Sequence, residues 1–118
     1  MSDLLKRLSE VGYMACFKGH VKEGEVIMEG VHAAAPDQIP VKIGLAVARI
    51  SALRYPEAIA LLRDEVLAED PDNLTAKCFL GLALKESGQQ EAARTVLEEV
   101  LARGDEHQQA IARVYLAP

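Results

Sequence analysis

Metal ligation and nucleophilic catalysis need histidine, cysteine, serine and acidic side chains brought close together, and this sequence offers few of them at a suitable spacing. Its three histidines, at positions 20, 32 and 107, have no cysteine or carboxylate at the short spacing that metal ligands usually show. Its serines have no nearby histidine and acid with which to form a triad. No glycine-rich loop follows a strand to hold a phosphate. We therefore expect no metal site, no cofactor, no catalytic residue and no enzymatic activity.

The charged residues exclude a further class of function. The chain carries 13 Lys and Arg against 18 Asp and Glu, a net charge of −5, and the two signs are interspersed. Because clusters of basic residues bind phosphate backbones, we expect no nucleic-acid partner. No apolar run approaches the roughly 20 residues of a membrane span, and Ser9 and Glu10 interrupt the segment in which a signal peptide would need its apolar core. A cytoplasmic protein without membrane insertion is expected.

Residues 73–104 contain the clearest structural pattern. Apolar and small residues recur at helical spacing before Gly88 and again after it, which predicts two amphipathic helices joined by a tight turn. Residues 56–68 match residues 90–102 at an offset of 34, with six identities in thirteen positions. A fainter copy near the start aligns to within one residue, where Gly12, Gly19 and Gly24 fall over Gly81, Gly88 and Ala93 at twice that offset.

These repeats predict one all-α domain over residues 1–118. Helix formers dominate, aromatic residues make up 4% of the chain, and prolines mark the turns between elements. We predict helical hairpins at about 4–35, 41–70 and 73–104, followed by a capping helix at about 105–116. In that helix Ile111, Val114 and Tyr115 are expected to lie on one side, with Gln108 and Gln109 among the exposed residues.

The predicted arrangement also places the two cysteines and the clustered acidic residues. Cys16 and Cys78 fall in the first and third hairpins, too far apart for a disulfide, so both are predicted to be free thiols in a reducing compartment. Acidic residues gather on the predicted second helices at 64–65, 69–70 and 98–99. They are interpreted either as a solvated convex face or as a docking patch for a basic partner.

The residues Leu80-Gly81, Leu84, Gly88, Ala93 and Leu97 resemble the pattern of the tetratricopeptide repeat. The resemblance implies a curved solenoid in which the first helix of each hairpin lines a concave groove. Carried onto this sequence, it predicts a mostly apolar partner-binding groove lined by Tyr13, Cys16, Phe17, Val41, Gly44, Ala48, Cys78, Leu82 and Lys85. Among these, Lys85 alone could clamp a peptide carboxylate.

A short, acidic array of about three such units is also similar to the small tetratricopeptide-fold chaperones of bacterial type III secretion. This resemblance implies a non-catalytic chaperone or adaptor that holds the amphipathic helix of a needle subunit or another export substrate. It also implies a small helical co-chaperone as a second protein partner. An amphipathic helix laid in the groove is the natural ligand for such a surface.

Three alternatives remain open at this point. The groove residues could pack in a core or beneath the terminal helix. The chain could be a generic tetratricopeptide scaffold. It could also be a self-association module, forming a homodimer through the groove or through the exposed edge of the last hairpin.

Overall fold

The computed structural model describes residues 3–117, without the side chain of Tyr13. These residues form seven helices and no strand: α1 (Asp3–Phe17), α2 (Val21–Ala34), α3 (Ile39–Ser51), α4 (55–69), α5 (Leu74–Glu86), α6 (Gln90–Arg103) and α7 (Glu106–Leu116). The first six pair into hairpin 1 (α1 and α2), hairpin 2 (α3 and α4) and hairpin 3 (α5 and α6), and α7 follows alone. The predicted all-α solenoid of three hairpins with a terminal helix is therefore confirmed.

The hairpins stack in chain order. The first helices α1, α3, α5 and α7 are successive neighbours, and the second helix of each hairpin packs against the first helix that follows it. The central helix α3 is apolar nearly all round, and it is buried at Val41 and at every position from Ile43 to Ala48. The largest fully buried side chains, among them Met28, Leu62, Leu84 and Leu97, come from all three hairpins. One core therefore runs the length of the stack.

The turn inside each hairpin contains one residue whose backbone angles fall in the left-handed region, with positive φ. Gly19 has φ 87° in hairpin 1 and Gly88 has φ 88° in hairpin 3. Leu53 takes the same place in hairpin 2, with φ 63° and its side chain exposed. A β-carbon makes this conformation unfavourable by roughly 1–2 kcal/mol. Leu53 therefore introduces backbone strain into the turn of hairpin 2.

Two other glycines allow the paired helices to approach closely. A β-carbon at Gly81 would lie 2.5 Å from Cδ2 of Leu97, and one at Gly24 would overlap the Cys16 sulfur. These positions are the small residues that the sequence pattern singled out. Gly24 therefore has a packing role in hairpin 1, which offsets its low helix propensity.

Helix α4 contains one residue more than its counterpart in hairpin 3. The fully buried Leu62 corresponds to Leu97 at an offset of 35 residues, whereas the fully buried Val66 corresponds to Val100 at an offset of 34. The change falls within Leu61–Val66, where the helix is a π-helix. A π-helical turn accommodates one extra residue inside an α-helix.

This extra residue determines which positions of the three hairpins are equivalent in sequence. Gly12 and Ala46 are equivalent at an offset of 34, and Ala46 and Gly81 are equivalent at an offset of 35. All three are small, buried residues. The sequence placed the first copy only to within one residue because a single 34-residue period does not describe both intervals.

Repeated ion pairs tie the two helices of hairpins 2 and 3 together. Lys42 lies 3.5 Å from Glu65, and Lys77 lies 2.8 Å from Glu99 at the equivalent positions. A side-chain hydrogen bond from Lys77 lowers the pKa of Glu99. Hairpin 1 lacks this pair, since Leu8 stands at the position of the lysine. Part of the acidic surface on the second helices is thus neutralised by lysines of the same hairpin.

Helix α7 runs alongside α5 in the same direction. The Gln108 side chain lies 3.4 Å from the Thr75 hydroxyl near the start of both helices, and Lys85 donates to the Tyr115 carbonyl near their ends. Asp105 begins α7 with a capping box, since its side chain accepts from the Gln108 amide at 2.8 Å. Helix α7 therefore occupies the place of a fourth first helix.

Of the expected inner face of α7, Tyr115 does pack against the core, but Ile111 and Val114 do not. Ile111 and Val114 are exposed, while Ala112 is fully buried and Gln109 is half-buried. Gln109 can lie in the interface because its amide donates to the Leu101 carbonyl at the end of α6, at 3.2 Å. Apolarity alone did not reveal that these glutamines satisfy helix-end groups.

Candidate protein-binding surface

The surface of interest is the side that α1, α3 and α5 turn away from their partner helices, called here the first-helix face. The register fixes which residues share it. Cys78, Leu82 and Lys85 of α5 correspond at an offset of 35 to Ile43, Val47 and Ile50 of α3. A further offset of 34 leads to Ser9, Tyr13 and Cys16 of α1, of which Cys16 lies at the edge of this face because it also packs against Gly24 of α2. Most of these residues are apolar, so three equivalent rows make a largely apolar strip across the stack.

The structure corrects the expected groove residues of hairpin 2. Val41 and Ala48 are fully buried, and Gly44 is buried as well. They lie on the side of α3 that packs against hairpin 1, so none presents surface to a partner. The error has a physical cause, because the 34-residue period was applied across the extra residue of α4. The residues on the first-helix face of α3 are Ile43 and Val47, which are also buried, and the half-buried Ile50; sequence reasoning missed all three.

The two cysteines are free thiols, as predicted, and both are buried. Cys16 packs against Gly24 of α2, and burial raises the pKa of its thiol despite a hydrogen bond from Ser51. Burial, with a smaller contribution from Asp105, raises the pKa of Cys78 to about 11. Both thiols therefore stay protonated and weakly nucleophilic at neutral pH. They act as small apolar side chains in the wall of the surface.

The exposed part of the strip lies at its edges. Phe17 is 70% exposed at the end of α1. Leu82 and Ile50 are half-buried. Tyr13 was also expected here, but its side chain lies outside the described part of the chain. Among the described residues, Phe17, Ile50 and Leu82 are thus the accessible apolar side chains at the edge of the strip.

Lys85 is held by the chain itself. Its ammonium group donates to the carbonyls of Tyr115 and Ala117 and lies 6.0 Å from the centre of the Tyr115 ring. Burial raises the pKa of the Tyr115 phenol. A cation near the end of a helix stabilises its unpaired carbonyls. Lys85 therefore fastens α7 to α5, and it is not available as a carboxylate clamp unless α7 moves.

Residues 3–117 contain neither a metal-binding cluster nor a helix that could span a membrane. No group of three or more His, Cys, Asp or Glu residues in this range could hold a metal ion. Within the same range, no helix is both long enough and apolar enough to cross a bilayer. The described residues thus offer an apolar contact surface without a metal-binding cluster.

The hairpin pattern is also found by comparison with known families. The profile of the tetratricopeptide repeat matches residues 54–115, which is more than half of the chain. The chain belongs to the tetratricopeptide repeat family. No curated protein sequence matches this tetratricopeptide repeat protein.

A solved structure shares the arrangement of the whole chain. It is the crystal structure of SycD, the type III secretion translocator chaperone of Yersinia enterocolitica, in an alternative dimer. The TM-score is 0.76 and the identity is 16%, and the match covers 98% of this chain and 94% of that chain. At this identity the tetratricopeptide repeat protein and SycD share a fold.

Proposed function

We propose that this tetratricopeptide repeat protein is a non-catalytic chaperone or adaptor that holds an amphipathic helix of a partner protein on its first-helix face. The observation that carries the proposal is the row of apolar residues on that face, with Phe17 exposed and Leu82 and Ile50 half-buried at its margin. Exposed apolar patches of this kind mark protein-binding sites. An amphipathic helix presents apolar residues at i, i+3, i+4 and i+7 and fits a surface built from parallel helices.

We further propose a role in type III secretion. Its support is the fold shared with SycD over nearly the whole of both chains. A client in this role is a cytoplasmic, aggregation-prone export substrate, such as a needle subunit, and a small helical co-chaperone completes the complex. Since the chain carries a net charge of −5, we expect the client helix to have more Lys and Arg than Asp and Glu.

Co-expression with the short helical proteins encoded beside its gene tests the proposal. Phe17→Glu and Leu82→Glu should each reduce recovery of the client at least tenfold, because a buried carboxylate costs more than 1.4 kcal/mol. Val26→Glu is the matched control, since Val26 lies on α2 and is 69% exposed against 70% for Phe17. Circular dichroism should show the same helicity for all four proteins.

The heat-capacity change on binding, measured by calorimetry, distinguishes binding at the first-helix face from nonspecific apolar association. Binding of the client helix should show a negative heat-capacity change, which is lost in Phe17→Glu and kept in Val26→Glu. Equal weakening by both substitutions would contradict a site on the first-helix face. Full retention of the client by Phe17→Glu and Leu82→Glu would reject the site outright.

A further inference from the structure

Helix α7 lies along the part of the first-helix face that belongs to hairpin 3. Four residues of α5 follow one another at spacings of three, four and three, which keeps them on one side of the helix: Thr75, Cys78, Leu82 and Lys85. Helix α7 contacts both ends of this row, through the Gln108 side chain at Thr75 and through the carbonyl groups that Lys85 binds. Because α5 and α7 run in the same direction, α7 passes over Cys78 and Leu82. The chain thus covers part of its own proposed client surface.

Helix α7 is packed less deeply than α6. Ala112 is its one buried residue, whereas α6 buries three residues, among them Leu97 and Val100. An alanine side chain removes less apolar area from water than leucine or valine does. The larger apolar side chains of α7, Ile111 and Val114, are exposed. Apolar packing therefore contributes little to the attachment of α7.

The end of α7 is also incompletely packed against hairpin 3. A cavity of about 140 Å³ lies between the start of α6 and the end of α7, with Ala93, Leu116 and Ala117 among its lining residues. Atoms that line a void lose van der Waals contacts on that side. Lys85 borders the same cavity and donates to the carbonyl groups of Tyr115 and Ala117. The docked position of this end therefore depends strongly on one lysine.

We propose that α7 is an internal occupant of the first-helix face, which the amphipathic helix of the client displaces. The inference rests on the proposed function, since it concerns the same surface. A client helix in this place needs a small residue midway along its buried side, as α7 has in Ala112. Larger apolar residues near its C-terminal end would fill the cavity that α7 leaves, and its last carbonyl groups would accept from Lys85. Helix α7 shields the apolar row while no client is bound.

Alkylation of Cys78 in the purified full chain measures the opening of α7. Besides burial, the charge of Asp105 at the start of α7 raises the pKa of the Cys78 thiol, which places this thiol beside α7. In Lys85→Met, labelling of Cys78 by iodoacetamide should accelerate at least about tenfold, because the loss of charged hydrogen bonds shifts an equilibrium by that factor. Cys16 is buried in hairpin 1, so its unchanged labelling rate should exclude general unfolding.

The other lysine that α5 directs to a neighbouring helix provides a matched control. Lys77 pairs with Glu99 of α6 at 2.8 Å and makes no printed contact with α7. Lys77→Met should therefore leave the labelling rate of Cys78 close to that of the native chain. Equal rates in Lys85→Met and the native chain would overturn the proposed attachment. Equal acceleration at Cys78 and Cys16 would assign the effect to unfolding and would overturn it as well.

A fluorescent peptide of residues 105–117 tests whether the surface accepts a separate helix. Ala112→Glu should prevent docking of the internal helix, because a carboxylate would enter a fully buried position. The native peptide should bind this variant at least about tenfold more tightly than it binds the native chain, whose own α7 occupies the site. Ile111→Glu is the control, since Ile111 is 40% exposed and α7 should remain docked. Equal binding to all three proteins, or binding to none, would overturn a displaceable α7.

The complex with the client distinguishes this inference from the proposed function. Hydrogen exchange in α7 should be faster in the co-expressed complex than in the free chain, because the client takes its place. A complex in which α7 keeps its protection would overturn the displacement and leave client binding standing. Failure to retain any client would reject the proposed function, and with it displacement by a client. Accelerated labelling of Cys78 in Lys85→Met would then still establish the opening of α7.

Discussion

The two junctions of the stack are built from different chemistry at the same repeat position. At the junction of hairpins 1 and 2, Arg49 of α3 donates to Glu25 and Glu29 of α2, each at 2.8 Å, and lies 3.5 Å from Glu57 of α4. At the junction of hairpins 2 and 3, the equivalent residue is the fully buried Leu84. Both junctions bury apolar side chains, but at this position one carries a partly buried ion cluster and the other a buried leucine.

The difference indicates that the attachment of hairpin 1 depends on more individual interactions than the attachment of hairpin 3 does. Apolar packing is non-directional and little affected by salt. A partly buried ion cluster depends on every partner being present, because a carboxylate left unpaired there carries a desolvation cost. Gly24 and Gly30 further lower the helix propensity of α2. We therefore expect the stack to open first at its N-terminal junction, with hairpins 2 and 3 remaining folded longer.

The largest effect is expected at the apolar junction. Leu84→Ala should lower the free energy of unfolding by about 2–5 kcal/mol, because a fully buried leucine is replaced by a cavity. Urea denaturation followed by circular dichroism measures this loss. Leu53→Ala provides the control, since that leucine is exposed and its shortening should change stability by less than about 0.5 kcal/mol. A similarly small effect for Leu84→Ala would mean that the junction does not depend on this packing.

A smaller and more local effect is expected at the ionic junction. Arg49→Met should cost about 1.5–3 kcal/mol, because Glu25 loses its charged hydrogen-bond donor while remaining largely buried. Hydrogen exchange should accelerate in α1 and α2 and change little in α5 and α6. Arg54→Met is the matched control, since Arg54 is half exposed and lies 3.6 Å from Glu25. Equal acceleration in all helices would contradict a separable hairpin 1.

The smallest effect concerns the turn of hairpin 2. Leu53→Gly should raise the free energy of unfolding by up to about 1 kcal/mol, because glycine adopts the observed φ of 63° without steric cost. Leu53→Ala keeps the strain while removing the exposed side chain, so it should show no gain. Thermal denaturation of the two variants side by side measures the difference. A gain in both would assign the effect to the side chain instead of the backbone.

The helical hairpins and their turns were predictable because they depend on local periodicity. Amphipathic spacing broken by Gly19, Gly88 and prolines determined seven helices. The groove residues of hairpin 2 were not predictable from the same pattern, because one residue in α4 shifts the register by 100° of helix rotation. The inner face of α7 was missed for another reason: Gln108 and Gln109 are half-buried and form hydrogen bonds to Thr75 and Leu101, which only the tertiary structure reveals.

The π-helical segment Leu61–Val66 also shows how one repeat can be longer than its neighbours. A single-residue insertion in an α-helix would normally turn every later side chain away from its neighbours. Here the insertion is absorbed within one turn, and Val66 returns to the same buried position as Val100. The repeat thus accommodates an extra residue inside a helix. Repeats of unequal length can therefore share one solenoid, and a comparison at one constant period misaligns part of them.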